Sequence, residues 1–241
     1  MKTNQWFQRS ATIVRMIAGA LIVAGFTIAP AQASAVKIIG VNDNAYGNTY
    51  GEWSAEWWQW VLSIPQANSP IADATGADCT KQQSGPIFFL AGTGGGDPIT
   101  RNCTVPAGKA LFFPVLNSLW GAAVFDCDPT NPGVPCNLAT LRKSAADAMD
   151  PVILQAAIDG KPVKDLDQQR VQSPALTITY PADNGAGVSA GSYAPNVSDG
   201  YWLLLAPLSA GKHTIYFKGV FTGGPFQGFV VEVTYNLTVQ Q

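Results

Sequence analysis

The sequence is poor in the residues that build catalytic and metal centres. It contains one histidine, His213, and three glutamates among 241 residues. No two of its four cysteines have C-x-x-C spacing, so the usual zinc-site pattern is missing. We therefore expect no metal and no cofactor, and acid–base chemistry would have to come from carboxylates.

Charged residues are also scarce, at 12% of the chain. Without residues 1–33, the chain has 11 basic and 16 acidic side chains, and the basic ones are scattered singly. Proteins that bind nucleic acids need a basic face that displaces counterions from phosphates. The composition therefore excludes nucleic acid as an expected partner.

No apolar run after residue 33 reaches the roughly 20 residues needed to span a bilayer. The one long run, residues 16–28, follows three basic residues and precedes Ala31-Gln32-Ala33, which has the small residues that a signal peptidase accepts. We expect residues 1–33 to be a cleaved signal peptide. Residues 34–241 would then form a single domain without a transmembrane segment, secreted or periplasmic.

Cysteine usage is typical of an oxidising compartment. Four cysteines allow two disulfides in three connectivities, and they are Cys79, Cys103, Cys127 and Cys136. We favour Cys127–Cys136, which would staple a loop rich in proline and glycine, with Cys79–Cys103 closing a second loop. Residues 126–131 also place oxygen ligands at alternate positions, so structural calcium stays an alternative, although the glycine and glutamate of an EF-hand are missing.

Two segments have helical patterns. Thr49 and Glu52 have the spacing of a capping box, apolar residues then recur at helical spacing, and Pro65 ends the segment. A second helix is predicted from Asn137, as N-cap, to Asp150.

Most of the remaining chain alternates short apolar runs with turn signals. Strands are predicted at 86–91, 110–116, 120–125, 152–158, 175–180, 201–208, 213–221 and 229–239. Three turns, at 106–108, 159–160 and 209–211, are expected to close hairpins, and residues 180–200 are expected to be largely a loop. Many strands without βαβ alternation indicate a mainly β fold: an antiparallel, jelly-roll-like β-sandwich with one or two packed α-helices.

The first helix concentrates the candidate binding residues. Four of the seven tryptophans lie in it, and a helical wheel places Trp53, Trp57 and Trp60 on the apolar face, where we expect them to pack on the sandwich. Trp58 lies on the flank, next to the polar strip that carries Glu52 and Glu56. We expect this edge either to face water or to form a binding groove. Other aromatic contact candidates are Trp120, Tyr193 and Trp202.

Catalytic motifs are incomplete. Residues 187–191 match G-x-S-x-G, and Asp199 and His213 follow in the chain order of α/β-hydrolases. The flanking residues, however, predict neither the buried strand nor the helix that a nucleophile elbow needs. His213 lies beside a turn, where a locally bonded strand-edge histidine is the expected role.

Four segments together resemble a group of exported bacterial proteins without an assigned activity. They are YGEWSAEWWQWVLSIP, GPIFFLAG, CTVPAGKALFFPVLN and DGYWLLLAPLSAGKHTI. The resemblance implies a secreted β-rich domain and brings no catalytic residues with it. Function must therefore be argued from sites.

Two functional interpretations remain. The first is an exported, non-catalytic module that binds a glycan or another envelope component, or acts as a structural surface protein, through its rigid aromatic side chains. The alternative is a secreted hydrolase that uses Glu52, Glu56 or an aspartate, with His213. An enzyme would require these groups to converge within hydrogen-bond reach in a concave site.

Overall fold

The computed structural model describes residues 36–121 and 137–241. The expected signal peptide, Cys127, Cys136 and the calcium-like loop at 126–131 lie outside the described residues. The described chain belongs to one compact unit, Ser34–Gln241. Among the described residues, no helix is long and apolar enough to cross a membrane.

The described residues fold into two α-helices and ten strands. The helices are α1 (Tyr50–Ser63) and α2 (Leu138–Ala148). The strands are β1 (Ile87–Phe89), β2 (Ile99–Pro106), β3 (Ala110–Gly121), β4 (Val152–Ile158), β5 (Lys161–Pro162), β6 (Arg170–Gln172), β7 (Leu176–Tyr180), β8 (Gly191–Leu205), β9 (Gly211–Phe221) and β10 (Val230–Gln240).

The strands form two sheets. The first has the order β1-β3-β8-β6, with β7 also paired to β8, and the second has the order β2-β10-β9-β4-β5. The expected mainly β sandwich with packed helices is therefore confirmed. Pairing is antiparallel except for β1 with β3 and β2 with β10, which are parallel.

The first sheet is buried on both faces. Its inner face packs against the second sheet through residues such as Leu111, Phe113 and Leu203. Its outer face carries Phe112 and Trp202 and is covered by α1. Strands buried on both sides read as continuous apolar runs, which explains the segments IFFLA, ALFFPVL and YWLLLA.

The aromatic residues of α1 fix the helix on this outer face. The Trp57 ring meets the Trp202 ring edge-on at 5.4 Å, and Trp202 stacks on Phe112 at 5.1 Å. The indole nitrogen of Trp57 donates to the Leu90 carbonyl at 2.9 Å. The expectation that Trp53, Trp57 and Trp60 anchor the helix is confirmed, since all three are buried.

The second sheet has one face in the core and one in water. Along β10, Val231, Val233, Tyr235, Leu237 and Val239 are buried, and the residues between them are half-buried or exposed. The sequence of the predicted strand 229–239 has the same alternation, because every second residue from Phe229 to Val239 is apolar.

Two strand predictions are wrong in extent. The predicted strands 110–116 and 120–125 are joined in one strand, β3, as far as the described residues go. The second half of the predicted loop 180–200, residues 191–200, belongs to β8, a 15-residue strand. The composition of residues 191–200 suggests a loop because their buried positions include Asn196, Ser198 and Asp199, which bond to neighbouring elements.

The turn predictions have mixed outcomes. Asp159 and Gly160 have φ values of 50° and 73° and close the β4–β5 hairpin, as expected for a type I′ turn. The turns at 106–108 and 209–211 do not close hairpins. Each links a strand of one sheet to a strand of the other, β2 to β3 and β8 to β9, because the local turn signal carries no information on which sheet the next strand joins.

The disulfide Cys79–Cys103 is formed, as expected. It joins the loop before β1 to β2, and both cysteines are buried in the core between the sheets. Asn137 caps α2 through its side chain, which accepts from the Thr140 amide.

We expect Trp57→Ala to lower the free energy of unfolding by about 3–5 kcal/mol, because it empties a fully buried site between α1 and the sheet. The control, Ile153→Ala, removes a side chain that is 51% exposed and should change this energy by less than about 0.5 kcal/mol. Urea unfolding followed by circular dichroism measures both. Equal effects would contradict the anchoring role of Trp57.

The double variant Cys79→Ala/Cys103→Ala should lower the free energy of unfolding by about 3 kcal/mol, because the disulfide joins residues 24 positions apart and restricts the unfolded chain. Urea unfolding under non-reducing conditions measures the change while the other two cysteines stay intact. An unchanged midpoint would show that this disulfide adds nothing to stability.

Candidate ligand-binding cavity

Glu52 and Glu56 do not form a catalytic pair. The Glu52 carboxylate accepts hydrogen bonds from the backbone N–H and the hydroxyl of Thr49, both at 2.8 Å, and completes the capping box of α1. The Glu56 carboxylate accepts from the Asn48 side chain at 2.6 Å. Both glutamates are exposed, and neither lines a cavity.

Trp58 lies on the side of α1 that lines the cavity. Its indole nitrogen donates to the Ser198 hydroxyl on β8 at 2.8 Å, and its ring meets the Trp57 ring edge-on at 5.0 Å. These two contacts fix the ring. Its remaining surface forms part of the wall of a cavity of about 500 Å³.

The cavity adjoins the part of β3 that extends beyond β1. The three residues of β1 pair with Ala110, Leu111 and Phe112, so the rest of the twelve-residue strand β3 has no strand partner on that side among the described residues. Residues 117–119 all line the cavity, although successive side chains of a strand point to opposite faces. The cavity therefore meets β3 at its edge.

Proline at position 114 suits the unpaired edge of β3 because it has no backbone N–H. The backbone groups of Ala110 and Phe112 face the chain around β1, since Ala110 donates to the Pro86 carbonyl and the Phe112 carbonyl accepts from Leu90. Pro114 is the next residue on the same side and has no N–H. The chain thus leaves no backbone donor unpaired at this point, as is usual for proline at a strand edge.

Distant parts of the chain contribute to the wall. Most lining residues are apolar, and they include three phenylalanines in or near the β9–β10 connection. The wall consists of Trp58, Val61, Leu62, Ile64, Gln66, Ser69, Ile71, Ala72, Gly94, Asn117, Ser118, Leu119, Tyr180, Asn184, Gly185, Ala186, Phe221, Phe226 and Phe229.

Arg101 holds one wall of the cavity in place. This side chain is 1% exposed, and its guanidinium donates to the backbone carbonyls of Ile71, Asp73, Ala91 and Gly92 at 2.6–3.2 Å. These bonds tie the segment after α1 to the segment after β1. A buried arginine is tolerated here because its donors find acceptors.

The loop between β7 and β8 forms another part of the cavity wall, through residues 184–186. Gln66 and Ala67 donate backbone N–H groups to Asp183, at 2.9 Å to its carbonyl and 3.2 Å to its carboxylate. The Asn184 amide group bonds within the loop to the carbonyls of Pro181 and Val188, each at 2.8 Å. Hydrogen bonds therefore fix the loop both to the segment after α1 and within itself.

Three lining residues carry buried polar atoms without a hydrogen-bond partner among the described residues. They are the amide nitrogen of Asn117 and the hydroxyl oxygens of Ser118 and Tyr180. Leaving such a group buried and unpaired costs about 1–3 kcal/mol. The accessible surface of all three atoms is close to zero, so they face packed neighbours rather than the open space of the cavity.

The wall carries no formal charge. None of its residues is Asp, Glu, Lys, Arg or His. Burial raises the pKa of Tyr180 to about 12, and the neighbouring Tyr193 adds to the increase, so Tyr180 keeps its proton at neutral pH. The cavity is suited to an uncharged ligand, because a buried charge without a partner is expensive.

Of the four aromatic residues predicted to bind, only Trp58 lines the cavity. The prediction for Trp202 requires correction: this side chain is 0% exposed and sits under Trp57 in the core, so its ring offers no surface to a ligand. Tyr193 packs edge-on against Tyr180 and donates its hydroxyl to the Ser189 carbonyl. Trp120 packs against Phe226, whose side chain belongs to the cavity wall.

His213 joins two turns outside the cavity. Its Nδ1 lies 2.8 Å from the Asp159 carboxylate, and its Nε2 lies 2.9 Å from the Ser209 carbonyl and 3.3 Å from the Ser209 hydroxyl. The residue types resemble a catalytic triad, yet the ring nitrogen is closest to a backbone carbonyl. The placement agrees with a locally bonded strand-edge histidine. Asp199 is elsewhere, paired with Arg170 at 2.9 Å.

The G-x-S-x-G segment, residues 187–191, lies in the loop before β8 and is followed by a strand. A nucleophile elbow requires a helix at that point. Among the described residues, no cluster of three or more His, Cys, Asp or Glu side chains could hold a metal ion.

Sequence reasoning missed most of the cavity. Tyr180 is the last residue of a predicted strand, Asn117 and Ser118 lie between two predicted strands, and none of the three belongs to a motif. One signal was available: Asn117 and Ser118 interrupt a run of apolar residues in a strand that is otherwise buried on both faces. Such an interruption in a core strand indicates either a partner or a site.

No family model, curated protein or solved structure matches this chain. Function therefore rests on the geometry of the site.

The cap formed by Glu52 predicts a specific pH dependence. Hydrogen bonds from Thr49 hold the pKa of Glu52 below its usual value. The cap therefore stabilises the fold above the unfolded-state pKa of about 4.3, and this contribution is lost as the pH falls through the lower folded-state pKa.

We expect Glu52→Gln to lose less stability than the wild type when the pH falls from about 5 to about 3, because glutamine does not titrate. Urea unfolding at several pH values measures the difference. Parallel stability profiles for the two proteins would contradict the role of the carboxylate in the cap.

Proposed function

We propose that this protein is an exported, non-catalytic β-sandwich protein that binds a small, predominantly apolar molecule in the cavity beside α1. The observation that carries the proposal is the cavity itself: about 500 Å³, walled mainly by hydrocarbon and aromatic groups, and without a charged side chain. Ligand sites of globular proteins have this size and composition. Export is supported by the disulfide Cys79–Cys103 and by the sequence of residues 1–33.

The polar and apolar composition of the cavity wall indicates which class of ligand suits it. Glycan sites present many hydrogen-bonding groups, whereas this wall offers few polar atoms among many apolar ones. An acyl chain, or another hydrocarbon part of an envelope component, suits it better than a sugar. The solvent-facing glutamates give the hydrolase alternative no concave site in which to work.

Binding can be tested with N-phenyl-1-naphthylamine, an uncharged apolar dye that fluoresces when it leaves water. Ala72 lines the cavity from an exposed loop, so Ala72→Trp should fill part of the cavity without disturbing the core. We expect saturable binding to the wild type, and an increase of at least about tenfold in Kd for Ala72→Trp.

The matched control is Ala74→Trp, which adds the same ring two residues away at an exposed position that does not line the cavity. Its Kd should equal that of the wild type. If both variants bind like the wild type, the dye binds elsewhere and the site is wrong. If maltohexaose or chitotetraose displaces the dye competitively, the ligand class is wrong.

A further inference from the structure

The cavity opens to solvent between connecting segments. Five residues line it and are also exposed, so they lie at its mouth: Gln66, Ala72, Gly94, Gly185 and Ala186. Two of them follow α1, one lies between β1 and β2, and two belong to the loop between β7 and β8. A ligand therefore enters past connecting segments, which are more mobile than paired strands.

The β7–β8 loop, residues 181–190, is folded on itself. Its two ends are held together because Tyr180 and Gly191 are paired in the sheet. Inside the loop, the Asn184 side chain donates to two loop carbonyls and accepts from the Val188 N–H at 3.2 Å. Compact surface loops of this length, closed at the base and bonded internally, are frequently functional.

Little holds this loop against the rest of the protein. Seven of its ten residues are exposed, and Val188, which packs against the core cluster around Tyr180, is only half-buried. Among the described residues, Asp183 makes the only hydrogen bonds from the loop to a part of the chain outside β7 and β8. Its carbonyl accepts from the Gln66 N–H at 2.9 Å, and its carboxylate accepts from the Ala67 N–H at 3.2 Å. Segments with few buried contacts open locally at a low cost in free energy.

Gln66 and Gly185 meet at the mouth of the cavity. A Cβ atom on residue 185 would lie 2.1 Å from Oε1 of Gln66, so the two residues are in contact. The hydrogen bonds of Asp183 lie beside this contact and hold the loop against the segment after α1. In this position the loop closes the mouth on that side.

We propose that the β7–β8 loop is a lid: the hydrogen bonds of Asp183 keep it closed, and its opening limits the rate at which a ligand enters and leaves the cavity. The inference rests on the proposed function and concerns the regulation of the same site. A latch that is the same in the free and the bound protein slows entry and exit equally. Weakening it therefore raises both rate constants without changing Kd.

The test is stopped-flow fluorescence of N-phenyl-1-naphthylamine at several dye concentrations, which yields the association and dissociation rate constants. Asp183→Ala removes the carboxylate that accepts from Ala67. It should raise both rate constants about fivefold, while Kd changes by less than about twofold. The matched control, Asp97→Ala, removes an exposed aspartate after β1 that does not line the cavity, and should change neither rate constant.

A second variant removes the lid. Because Tyr180 and Gly191 are paired, Asn-Gly in place of residues 181–190 would join β7 to β8 through a two-residue hairpin turn. Its association rate constant should rise at least as much as that of Asp183→Ala. Its Kd is not decisive, because residues 184–186 of the wall are also lost. Asp183→Ala keeps the whole wall and decides the proposal by itself if the shortened chain does not fold.

The outcomes separate the lid from the site. Unchanged rate constants in Asp183→Ala, with binding still weakened by Ala72→Trp, would show that the loop is a fixed wall while the apolar site stands. A rise in Kd through faster dissociation alone would also overturn the lid, since that is the effect of a lost contact with the ligand. A wild-type association rate constant at the diffusional ceiling of about 10⁸–10⁹ M⁻¹ s⁻¹ would leave nothing for a lid to slow. If the dye does not bind the wild type saturably, the apolar site fails and the lid fails with it.

Discussion

The structure depends on the burial of both faces of the first sheet. A sheet that packs against a second sheet on one side normally presents polar residues on the other, but here the outer face carries Phe112 and Trp202. Exposure of this apolar surface to water would be unfavourable, so another element must cover it. Helix α1 is that cover, and its tryptophans are large enough to reach the sheet and polar enough to bond its edges. Trp57 shows both properties, since its ring lies against Trp202 and its nitrogen bonds to Leu90.

The cavity lies where β1 is too short to cover the edge of β3. β1 ends after three residues, whereas β3 continues for nine more, so α1 and the neighbouring loops must cover an edge that no strand completes. Loops close around such an edge less tightly than a strand would, which leaves space. Arg101 and Asp183 then fix the loops by hydrogen bonds, so the space is held open by bonded walls. A short strand beside a long one is thus the structural origin of the site.

The parts of the fold that sequence reasoning found are those with a local physical signature. Helix α1 has a capping box and an apolar stripe, and β10 alternates with period two, so each could be located from its own residues. Residues 191–200 of β8 have the composition of a loop because their polar residues satisfy their bonding through partners far along the chain, as Ser198 does with Trp58. The cavity depends on such long-range contacts throughout. Trp58 could be singled out as an edge residue, but nothing in the local sequence placed Tyr180 beside it.

The pair Asn117-Ser118 marks the place where β3 changes from a core strand to a strand edge beside the cavity. Voids arise in proteins for packing reasons, and an apolar void needs no ligand to be tolerated. Polar groups without partners are different, because an apolar residue of similar size at the same position would remove the cost of burying them. β3 uses apolar residues at every position from Ala110 to Leu116 and changes to two polar ones where its edge meets the cavity. Departures from the most stable choice are typical of functional sites.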